Sequence, residues 1–529
     1  MALTGQSFLG SQRGAHTGAL LFATNPQSGE KLGPGYASVS AAEAEQAVEL
    51  AGQAAPLYSA LSGKERAAFL RRIADAIDAI VQPLTERAHL ETALPIARLQ
   101  GETARTTGQL RLFATLLEDG SWLDARIDTA LPDRKPLPRP ALRSMLRPIG
   151  PVVVFGASNF PLAFSAAGGD TAAALAAGCP VIVKAHSAHP GTSELVAEVI
   201  QSAVAECGLP EGVFSLVYGS GSEIGALLVK HPVVQAVAFT GSLRAGRILM
   251  DMAASRPQPI PCFTEMSGEN PLFILPGAMR KAPETLAQNL FNSFTMGSGQ
   301  FCTRPGIIFW SQQAEAPAFL AKLKELVTQS SPYPLLTPGI AREYQKGTET
   351  RDRQATLLAE APAAATAPAC AALSHLYSVT LEEFQAQPQL SEEIFGPTTL
   401  LVECKSPDDY AAAARTLNGQ LTATVFGDDE DLAAQKQLIA VLETKAGRVI
   451  FNAFPTGVEV SHAMVHGGPY PATSDARFTS VGTQSIYRFA RPVCFQGFPS
   501  SLLPAELQDA NPLGILRLVD GKETRDRLA

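Results

Sequence analysis

Pro151-Val-Val-Val-Phe-Gly-Ala157 and Pro180-Val-Ile-Val-Lys-Ala185 enclose a run of small residues, Gly168 to Gly178, and this stretch decides the fold. The two apolar runs have the length and composition of buried strands, and the run between them predicts a helix. The alternation continues downstream, with predicted helices and strands at Thr192 to Glu206, Val213 to Tyr218, Ser222 to Lys230 and Val233 to Thr240. This pattern is typical of an α/β protein with a doubly wound parallel sheet, which binds ligands beyond the carboxyl ends of its strands.

The bulk properties are those of a globular protein with more than one domain. The chain has 529 residues, more than one ordinary core holds, which predicts two or three domains. Hydrophobic residues make up 46% of it and charged residues 17%, as in soluble proteins. The net charge of −8, without a run of Lys or Arg, argues against a nucleic-acid surface.

No segment predicts a membrane anchor or a secretory signal. The longest apolar stretch, Thr171 to Val183, is shorter than the roughly 20 residues that a bilayer requires. The N-terminus has no basic region followed by an apolar one. The seven cysteines are scattered without a CxxC pair, which favours reduced thiols in the cytoplasm and argues against a zinc site.

Two short segments carry the candidate chemistry. Gly299-Gln-Phe-Cys-Thr303 places the thiol of Cys302 in a small, glycine-flanked loop, and Phe263-Thr-Glu-Met-Ser-Gly268 places the carboxylate of Glu265 after a short apolar run. A nucleophile and a base are the minimum requirement for covalent acyl chemistry. A lone cysteine is more often a buried structural residue, so the interpretation depends on the rest of the chain.

Four further segments support the chemical interpretation. In chain order they are Ser158-Asn-Phe-Pro161, Val181-Ile-Val-Lys184, Phe239-Thr-Gly-Ser242 followed by Gly246, and Glu393-Ile-Phe-Gly-Pro397. Together with the two segments above, they stand in the order of the signature motifs of aldehyde dehydrogenases. The chain therefore resembles that superfamily over roughly residues 20 to 495, and six motifs in register make chance a poor explanation.

The resemblance implies an aldehyde dehydrogenase-like architecture of three parts. Residues 1–126 and 148–262 would form the doubly wound, cofactor-binding domain, and residues 263–465 would form an α/β catalytic domain. Residues 127–147 would form a small β hairpin for oligomerisation, together with a C-terminal segment, 466–529. The resemblance also implies a homodimer or a dimer of dimers.

Local patterns add detail outside the motifs. Ser40-Ala-Ala-Glu43 is a capping box that begins a helix, and apolar residues at helical spacing from Phe69 to Val81 predict a helix that buries one stripe. The Ala- and Pro-rich segment Leu357 to Ala372 predicts a surface insertion. The charged tail Asp520 to Ala529 predicts a final helix.

The resemblance implies a role for each catalytic candidate. The thiol of Cys302 would attack an aldehyde, so that hydride can leave the resulting thiohemiacetal and a thioester remains. Glu265 would activate the water that cleaves the thioester, a base that CoA-acylating relatives usually lack. The side-chain amide of Asn159 and the backbone N–H of Cys302 would stabilise the oxyanion. The alternatives are a structural thiol, a solvated turn glutamate, as predicted for Glu269, and an asparagine that caps a turn.

The expected cofactor is NADP, with NAD also usable. The resemblance assigns cofactor binding to Lys184, Gly241, Ser242, Gly246, Glu393 and Phe395. Among these, Ser242 would meet the pyrophosphate at a helix N-terminus, and Lys184 and Glu393 would hold the two riboses. Many NAD-preferring relatives carry an acidic residue three positions after the lysine. Here that position is Ser187, a neutral donor that suits the 2′-phosphate of NADP.

The substrate is narrowed by a finer resemblance. The segments Lys184 to Thr192, Gly467 to Ser474 and Arg491 to Phe495 are similar to a branch that contains 2-oxoglutarate semialdehyde (2,5-dioxopentanoate) dehydrogenases and some long-chain aldehyde dehydrogenases. Arg304, two residues after the thiol, could bind a short substrate's carboxylate with its planar fork, or could pair with an acid instead. A broad or long-chain aldehyde dehydrogenase is the alternative enzyme, and a catalytically silent binding protein is the alternative of another class.

A histidine pair is the remaining candidate site. His462 and His466 have the i, i+4 spacing of metal ligands on a helix. The segment that leads to them, Val458 to His462, is not convincingly helical, so both are interpreted as structural histidines. The sequence therefore predicts no metal site.

Overall fold

The computed structural model describes residues 2–266 and 268–528. In its first half the strands are β1 (Phe8–Leu9), β2 (Gln12–Arg13), β3 (Leu20–Thr24), β4 (Lys31–Ala37), β5 (Arg126–Asp128), β6 (Leu142–Pro148), β7 (Val152–Phe155), β8 (Val181–Lys184), β9 (Phe214–Val217), β10 (Ala236–Thr240) and β11 (Cys262–Glu265). The helices are α1 (Ala41–Ser59), α2 (Gly63–Asp78), α3 (Val81–Thr92), α4 (Ile96–Asp119), α5 (Gly169–Ala177), α6 (Pro190–Glu206), α7 (Ala226–Lys230) and α8 (Leu243–Ala254).

The first sheet has seven strands in the order β11-β10-β7-β8-β9-β1-β2. The five strands from β7 to β11 are parallel, and β1 adds an antiparallel edge. Helices cover both faces, so these strands are continuous apolar runs rather than alternating ones. The strand order reverses between β7 and β10, which is the switch point where such sheets bind ligands. The doubly wound parallel sheet predicted from the sequence is confirmed.

The second half begins after Glu265, the last residue of β11. Its strands are β12 (Leu272–Ile274), β13 (Ile307–Ser311), β14 (Tyr333–Pro334), β15 (Thr356–Glu360), β16 (Ala371–Ala372), β17 (His375–Thr380), β18 (Thr398–Cys404), β19 (Gln420–Phe426) and β20 (Ala446–Phe451). Its helices are α9 (Pro276–Lys281), α10 (Pro283–Thr295), α11 (Ala316–Gln329), α12 (Pro338–Arg351), α13 (Leu381–Ala386), α14 (Tyr410–Thr416), α15 (Asp429–Ala434) and α16 (Lys436–Lys445). Seven of these strands form a second sheet, β15-β17-β18-β13-β12-β19-β20, which is parallel except at β15.

The last strands, β21 (Ala490–Gln496), β22 (Arg517–Val519) and β23 (Lys522–Thr524), join the hairpin of β5 and β6. Together they form a five-stranded sheet in the order β21-β6-β5-β22-β23. The remaining pairs, β3 with β4 and β14 with β16, are two-stranded. The domain boundaries and the assignment of this third sheet to oligomerisation stay predictions.

Short helical turns lie between the main elements. The 3-10 turns are Ser121–Leu123, Glu211–Val213, Met296–Gly299, Pro388–Ser391, Pro407–Asp409, Thr483–Phe489, Ser500–Leu502 and Ala505–Leu507, and a π turn, Gly221–Gly225, precedes α7. Residues 222–225 of that turn had been predicted to belong to an α-helix that begins at Ser222.

The capping box at Ser40 is confirmed, because its side chain accepts the N–H of Glu43, whose carboxylate accepts the N–H of Ser40 in return. The apolar stripe that begins at Phe69 is buried in a helix, as predicted, but α2 ends at Asp78 and a new helix begins at Val81. Two other local predictions are wrong. The predicted insertion, 357–372, contains most of β15, which pairs with β17 at the edge of the second sheet. The predicted tail helix is instead the hairpin β22–β23, and its last residue lies outside the described residues.

Candidate active site

A large cavity opens at the switch point of the first sheet. It has a volume of about 880 Å³, within the range of sites for cofactors and drug-sized ligands. Its lining begins at the loops after β7, β8 and β10 and continues to Glu265, Cys302 and the segment from Glu392 to Phe395. The predicted nucleophile, base and several predicted cofactor residues, which are far apart in the sequence, therefore share one cavity.

The loop before Cys302 has an unusual backbone. Three consecutive residues, Gly297, Ser298 and Gly299, have φ values of +58°, +62° and +68°. Ser298 is the costly one, because residues other than glycine rarely adopt this conformation outside functional sites. A Cβ on Gly299 would lie 2.2 Å from the carbonyl carbon of Gly396, so glycine is required there. The thiol loop thus packs directly on the backbone of the predicted ribose-binding segment.

Asn270 fixes the other end of the thiol loop. Its side-chain amide donates to the carbonyls of Cys302 and Arg304, at 2.8 and 3.1 Å, and its oxygen accepts from Thr422 at 2.9 Å. Asn270 itself has a φ of +49°, which asparagine tolerates better than most residues. Sequence reasoning missed this residue, because its partners belong to the thiol loop and to β19.

The thiol, the predicted base and one histidine form a compact group. Nε2 of His466 lies 3.6 Å from Sγ of Cys302 and 3.3 Å from Oε1 of Glu265. Oε2 of Glu265 accepts from the hydroxyl of Ser480 at 3.2 Å. Glu265 and His466 are 3% and 1% exposed, so the group is closed off from bulk water on that side. His466, interpreted from the sequence as a structural histidine, lies at the thiol because the loop from β20 to β21 returns it there.

Donor atoms of these three side chains lie within 4.8 Å of one another, a set that could hold a metal ion. We assign the group to acid–base chemistry instead, because coordination to a metal would withdraw electron density from the sulfur and weaken it as a nucleophile. His462, by contrast, is exposed and contacts the hydroxyl of Thr483 at 3.2 Å. The two histidines therefore do not act as a pair.

The surroundings hold the thiol in its protonated form. Desolvation raises the pKa of Cys302 well above its ordinary value, and the negative charges of Glu265 and Glu393 raise it further. The positive charges of Arg105 and Arg448 oppose this effect. At neutral pH a proton must therefore leave the sulfur before it can attack a carbon centre.

Asn159 is buried beside the thiol loop, with 7% of its surface exposed. Its side-chain amide donates to the carbonyl of Gln300 at 2.8 Å, which brings the amide within two residues of Cys302 along the loop. An amide nitrogen carries two hydrogens, so one donor remains after this bond. That placement is compatible with the predicted oxyanion contact.

The predicted cofactor residues lie along the carboxyl edge of the first sheet. Lys184 ends β8, and burial lowers the pKa of its ammonium group to about 8. Ser187 is exposed and lines the cavity. Ser242 caps α8 by accepting the N–H of Ala245, so the N-terminus of that helix faces the same cavity.

The remaining cofactor candidates differ in position. Gly241, Glu393 and Phe395 line the cavity. Gly246 is buried under Met266, where a Cβ would come within 2.5 Å of the sulfur, so its glycine permits close packing of α8. The capped N-terminus of α8, the ammonium group of Lys184 at the end of β8 and the cavity volume of about 880 Å³ together fit a dinucleotide.

Arg304 pairs with an acid, an alternative that the sequence left open, whereas the environment of Glu269 differs from the prediction. Arg304 is 1% exposed and its guanidinium donates to the carbonyl of Thr398 and pairs with Glu269 at 3.4 Å. Glu269, expected to be a solvated turn residue, is only 4% exposed. Because both terminal nitrogens of Arg304 have these partners, we do not assign it a substrate contact.

Among the described residues, no helix has both the length and the apolar character needed to cross a membrane. All seven cysteines are free thiols.

Comparison with known proteins places the chain in a family. The family model described as "Aldehyde dehydrogenase family" matches residues 16–470. The alpha-ketoglutaric semialdehyde dehydrogenase 2 of Azospirillum brasilense is 50% identical over 526 residues, which cover 99% of this chain and 100% of that protein. The alpha-ketoglutaric semialdehyde dehydrogenase of Acinetobacter baylyi is 46% identical over 523 residues, which cover 99% of both chains.

Solved structures agree in fold. An NAD-dependent aldehyde dehydrogenase from Sinorhizobium meliloti has a TM-score of 0.79 at 22% identity, over 93% of this chain and 95% of that chain. PnpE in complex with nicotinamide adenine dinucleotide also has a TM-score of 0.79 at 22% identity, over 93% of this chain and 97% of that chain. The matched model and the near full-length relatives go further than the fold: the chain belongs to the aldehyde dehydrogenase family, whose members use NAD or NADP.

Proposed function

We propose that the protein oxidises 2-oxoglutarate semialdehyde to 2-oxoglutarate through a covalent thioester on Cys302. The observation that carries this proposal is the placement of Cys302, Glu265 and His466 in one group at the end of the dinucleotide-sized cavity. The substrate is proposed because two relatives of that name share 50% and 46% of their residues with this chain over nearly its whole length.

The first step is attack by sulfur on the aldehyde carbon. Since the pKa of Cys302 is raised, its proton needs an acceptor, and Nε2 of His466 at 3.6 Å is in position to take it. The carboxylate of Glu265, 3.3 Å from the same nitrogen, would stabilise the imidazolium that forms. The new S–C bond converts the carbonyl oxygen into an oxyanion, which the free amide hydrogen of Asn159 would meet.

The bound cofactor supplies the acceptor for the hydride that leaves this carbon. The residues proposed to hold it are the cavity-lining Ser187, Gly241, Ser242, Glu393 and Phe395 and, at the end of β8, Lys184, with Gly246 providing close packing beneath α8. Ser187 carries no charge that would repel a 2′-phosphate, so we propose NADP as the preferred cofactor and NAD as a usable one.

The second step is hydrolysis of the thioester. Glu265 would take a proton from water, whose oxygen adds to the acyl carbon. Collapse of the tetrahedral intermediate breaks the C–S bond, releases the carboxylic acid and returns the thiolate, which regains a proton. The contact of Oε2 with Ser480 orients the carboxylate for this role.

We further propose that the enzyme works in the cytoplasm as a homodimer or a dimer of dimers. Seven unpaired cysteines support a reducing compartment. Large apolar side chains near the third sheet support association, since Leu137, Phe498 and Leu502 are 69%, 52% and 71% exposed. Light scattering at several concentrations tests the subunit number.

Steady-state kinetics test the substrate. We expect the highest kcat/KM with 2,5-dioxopentanoate among 2,5-dioxopentanoate, succinic semialdehyde, hexanal and dodecanal, each measured with NADP and with NAD. A lead for the long aldehydes would replace the proposal with fatty-aldehyde oxidation. No turnover with any aldehyde would favour the catalytically silent alternative.

A further inference from the structure

Four arginines act on Cys302 or lie beside its loop, and three of them donate to partners through their terminal nitrogens, although Nε of Arg304 and Nε of Arg448 have no partner among the described residues. Arg304 pairs with an acid and a backbone carbonyl. Arg448 donates to two backbone carbonyls at 2.6 and 2.7 Å, which holds the loop after β20. Arg98 donates to the carbonyl of Asn159 at 2.9 Å. We assign these three arginines a structural role because of their contacts. Arg105 is the remaining candidate for binding a ligand.

Arg105 has a free hydrogen-bonding edge. Its Nε and Nη2 atoms are both buried, and neither has a hydrogen-bond partner among the described residues. These two nitrogens form one side of the guanidinium plane, the side that binds a carboxylate through two parallel hydrogen bonds. Leaving a charged donor buried and unpaired is costly, so the edge suits an anionic ligand that the chain itself does not supply.

The nearest acid on the same helix is otherwise engaged. Glu102, three residues before Arg105 on α4, is 6% exposed, and its Oε1 accepts the N–H groups of Leu162 and Ala163 at 2.9 and 3.0 Å, while its Oε2 has no hydrogen-bond partner among the described residues. No ion pair of Arg105 within 4.0 Å is found in the described part of the chain. Glu102 therefore acts on the loop after β7 rather than closing the free edge of Arg105.

A wall of aromatic rings connects this edge with the thiol. The guanidinium of Arg105 lies 5.0 Å from the ring centroid of Phe164, which is 6.1 Å from the ring of His466. His466 in turn contacts the sulfur of Cys302. Phe160 continues the wall, since its ring lies 5.3 Å from that of Phe164. The charges of Cys302 and Glu265 also act on Arg105, so a short aldehyde bound at the sulfur would have its other end toward Arg105.

We propose that the Nε–Nη2 edge of Arg105 binds the carboxylate of the substrate. This inference rests on the proposed function and deepens it, because it assigns the site's preference to short aldehydes with an acid at the far end. The ligand class is an ω-aldehyde of a short carboxylic acid, and the same edge would bind one carboxylate of the product.

The test compares charged and neutral aldehydes in a matched pair of variants. For Arg105→Met we expect kcat/KM with 2,5-dioxopentanoate to fall about a hundredfold, and kcat/KM with pentanal to change by less than about threefold. Inhibition by 2-oxoglutarate should weaken in the same variant. Arg111→Met is the control, because Arg111 lies on the same helix but pairs with Asp75 and Asp78 at the surface.

The same experiment distinguishes an incorrect role for Arg105 from an incorrect substrate. If the wild type prefers 2,5-dioxopentanoate to pentanal and Arg105→Met keeps that preference, Arg105 is not the carboxylate site. If the wild type shows no preference for the charged aldehyde, both proposals are wrong. Should Arg105→Met not fold, Arg105→Lys keeps the charge but loses the fork, and it should show at least a tenfold selective loss. An equal loss for both aldehydes with either variant would assign Arg105 a structural role.

Discussion

The surroundings of Cys302 differ in structure on its two sides. One side is a cavity of about 880 Å³ formed by the ends of parallel strands and the N-terminus of α8. The other side is a wall of aromatic rings and arginines contributed by α4, the loop after β7 and the loop after β20. The first side is generic to a fold that binds dinucleotides, whereas the second is where selectivity among aldehydes has to arise.

The largest expected effect is at the thiol that both sides share. Cys302→Ala should abolish turnover, because no other nucleophile can form the S–C bond, while dinucleotide binding stays within about twofold of wild type. Formation of NAD(P)H and isothermal titration with the dinucleotide measure the two. Cys207→Ala is the control, since that thiol is exposed. Residual turnover above a tenth of the wild-type rate would contradict covalent catalysis by Cys302.

The next effect separates acylation from hydrolysis. Glu265→Gln should give a burst of about one NAD(P)H per site, followed by a steady state slower by about 10²–10⁴-fold, because the water loses its base. Stopped-flow absorbance records both phases. Glu284→Gln, at an exposed position, should behave like wild type. An undiminished steady-state rate would remove Glu265 from the mechanism.

The histidine tests whether the aromatic side contributes to the chemistry. His466→Gln should slow the burst phase by about ten- to a hundredfold, because the thiol loses its proton acceptor. The matched control is His462→Gln, whose side chain is exposed and contacts Thr483 instead. A normal burst rate in His466→Gln would mean that the thiol is deprotonated by another group.

A substitution on the cofactor side of the site should have a smaller effect on kcat/KM. Ser187→Glu should lower kcat/KM for NADP about tenfold, because a carboxylate would repel the 2′-phosphate, and should leave NAD unchanged or improved. The ratio of kcat/KM values for the two dinucleotides measures this effect. An unchanged ratio would show that position 187 does not contact the adenosine ribose.

The smallest effect is a shift along the pH axis. Iodoacetamide should alkylate Cys302 faster as the pH rises, with a midpoint above that of an ordinary thiol, because desolvation raises its pKa. The carboxylates of Glu265 and Glu393 raise that pKa and the guanidinium groups of Arg105 and Arg448 lower it. Glu265→Gln should therefore move the midpoint to lower pH. A shift to higher pH would show that Glu265 does not act on Cys302 by its charge.

The sequence predicts the cofactor side of the site better than the aromatic side. The strands of the first sheet, the capping box at Ser40 and the motif around Cys302 are local patterns, and the fold and family follow from them. His466, Asn270 and Arg105 act through partners that lie far away in the chain, so no local pattern marks their contacts. The i, i+4, i+7 spacing of Arg98, Glu102 and Arg105, which share one face of α4, was the available signal for the aromatic side.

Glu269 shows the opposite error, and Arg304 shows an alternative that the sequence left open. Arg304, two residues after Cys302, could bind a substrate carboxylate or pair with an acid, and a position after a turn suggested solvent for Glu269. The two side chains pair with each other in the interior, at 2% and 5% side-chain exposure. The local sequence does not determine the direction in which these two side chains point, because that direction depends on the packing of both sheets.

Mass spectrometry of the trapped acyl enzyme tests the central claim most directly. Glu265→Gln mixed with 2,5-dioxopentanoate and NADP should carry a 2-oxoglutaryl group as a thioester on the peptide that contains Cys302. Hydroxylamine should remove it. An unmodified Cys302 peptide after a measured burst, or the acyl group on another residue, would contradict the account.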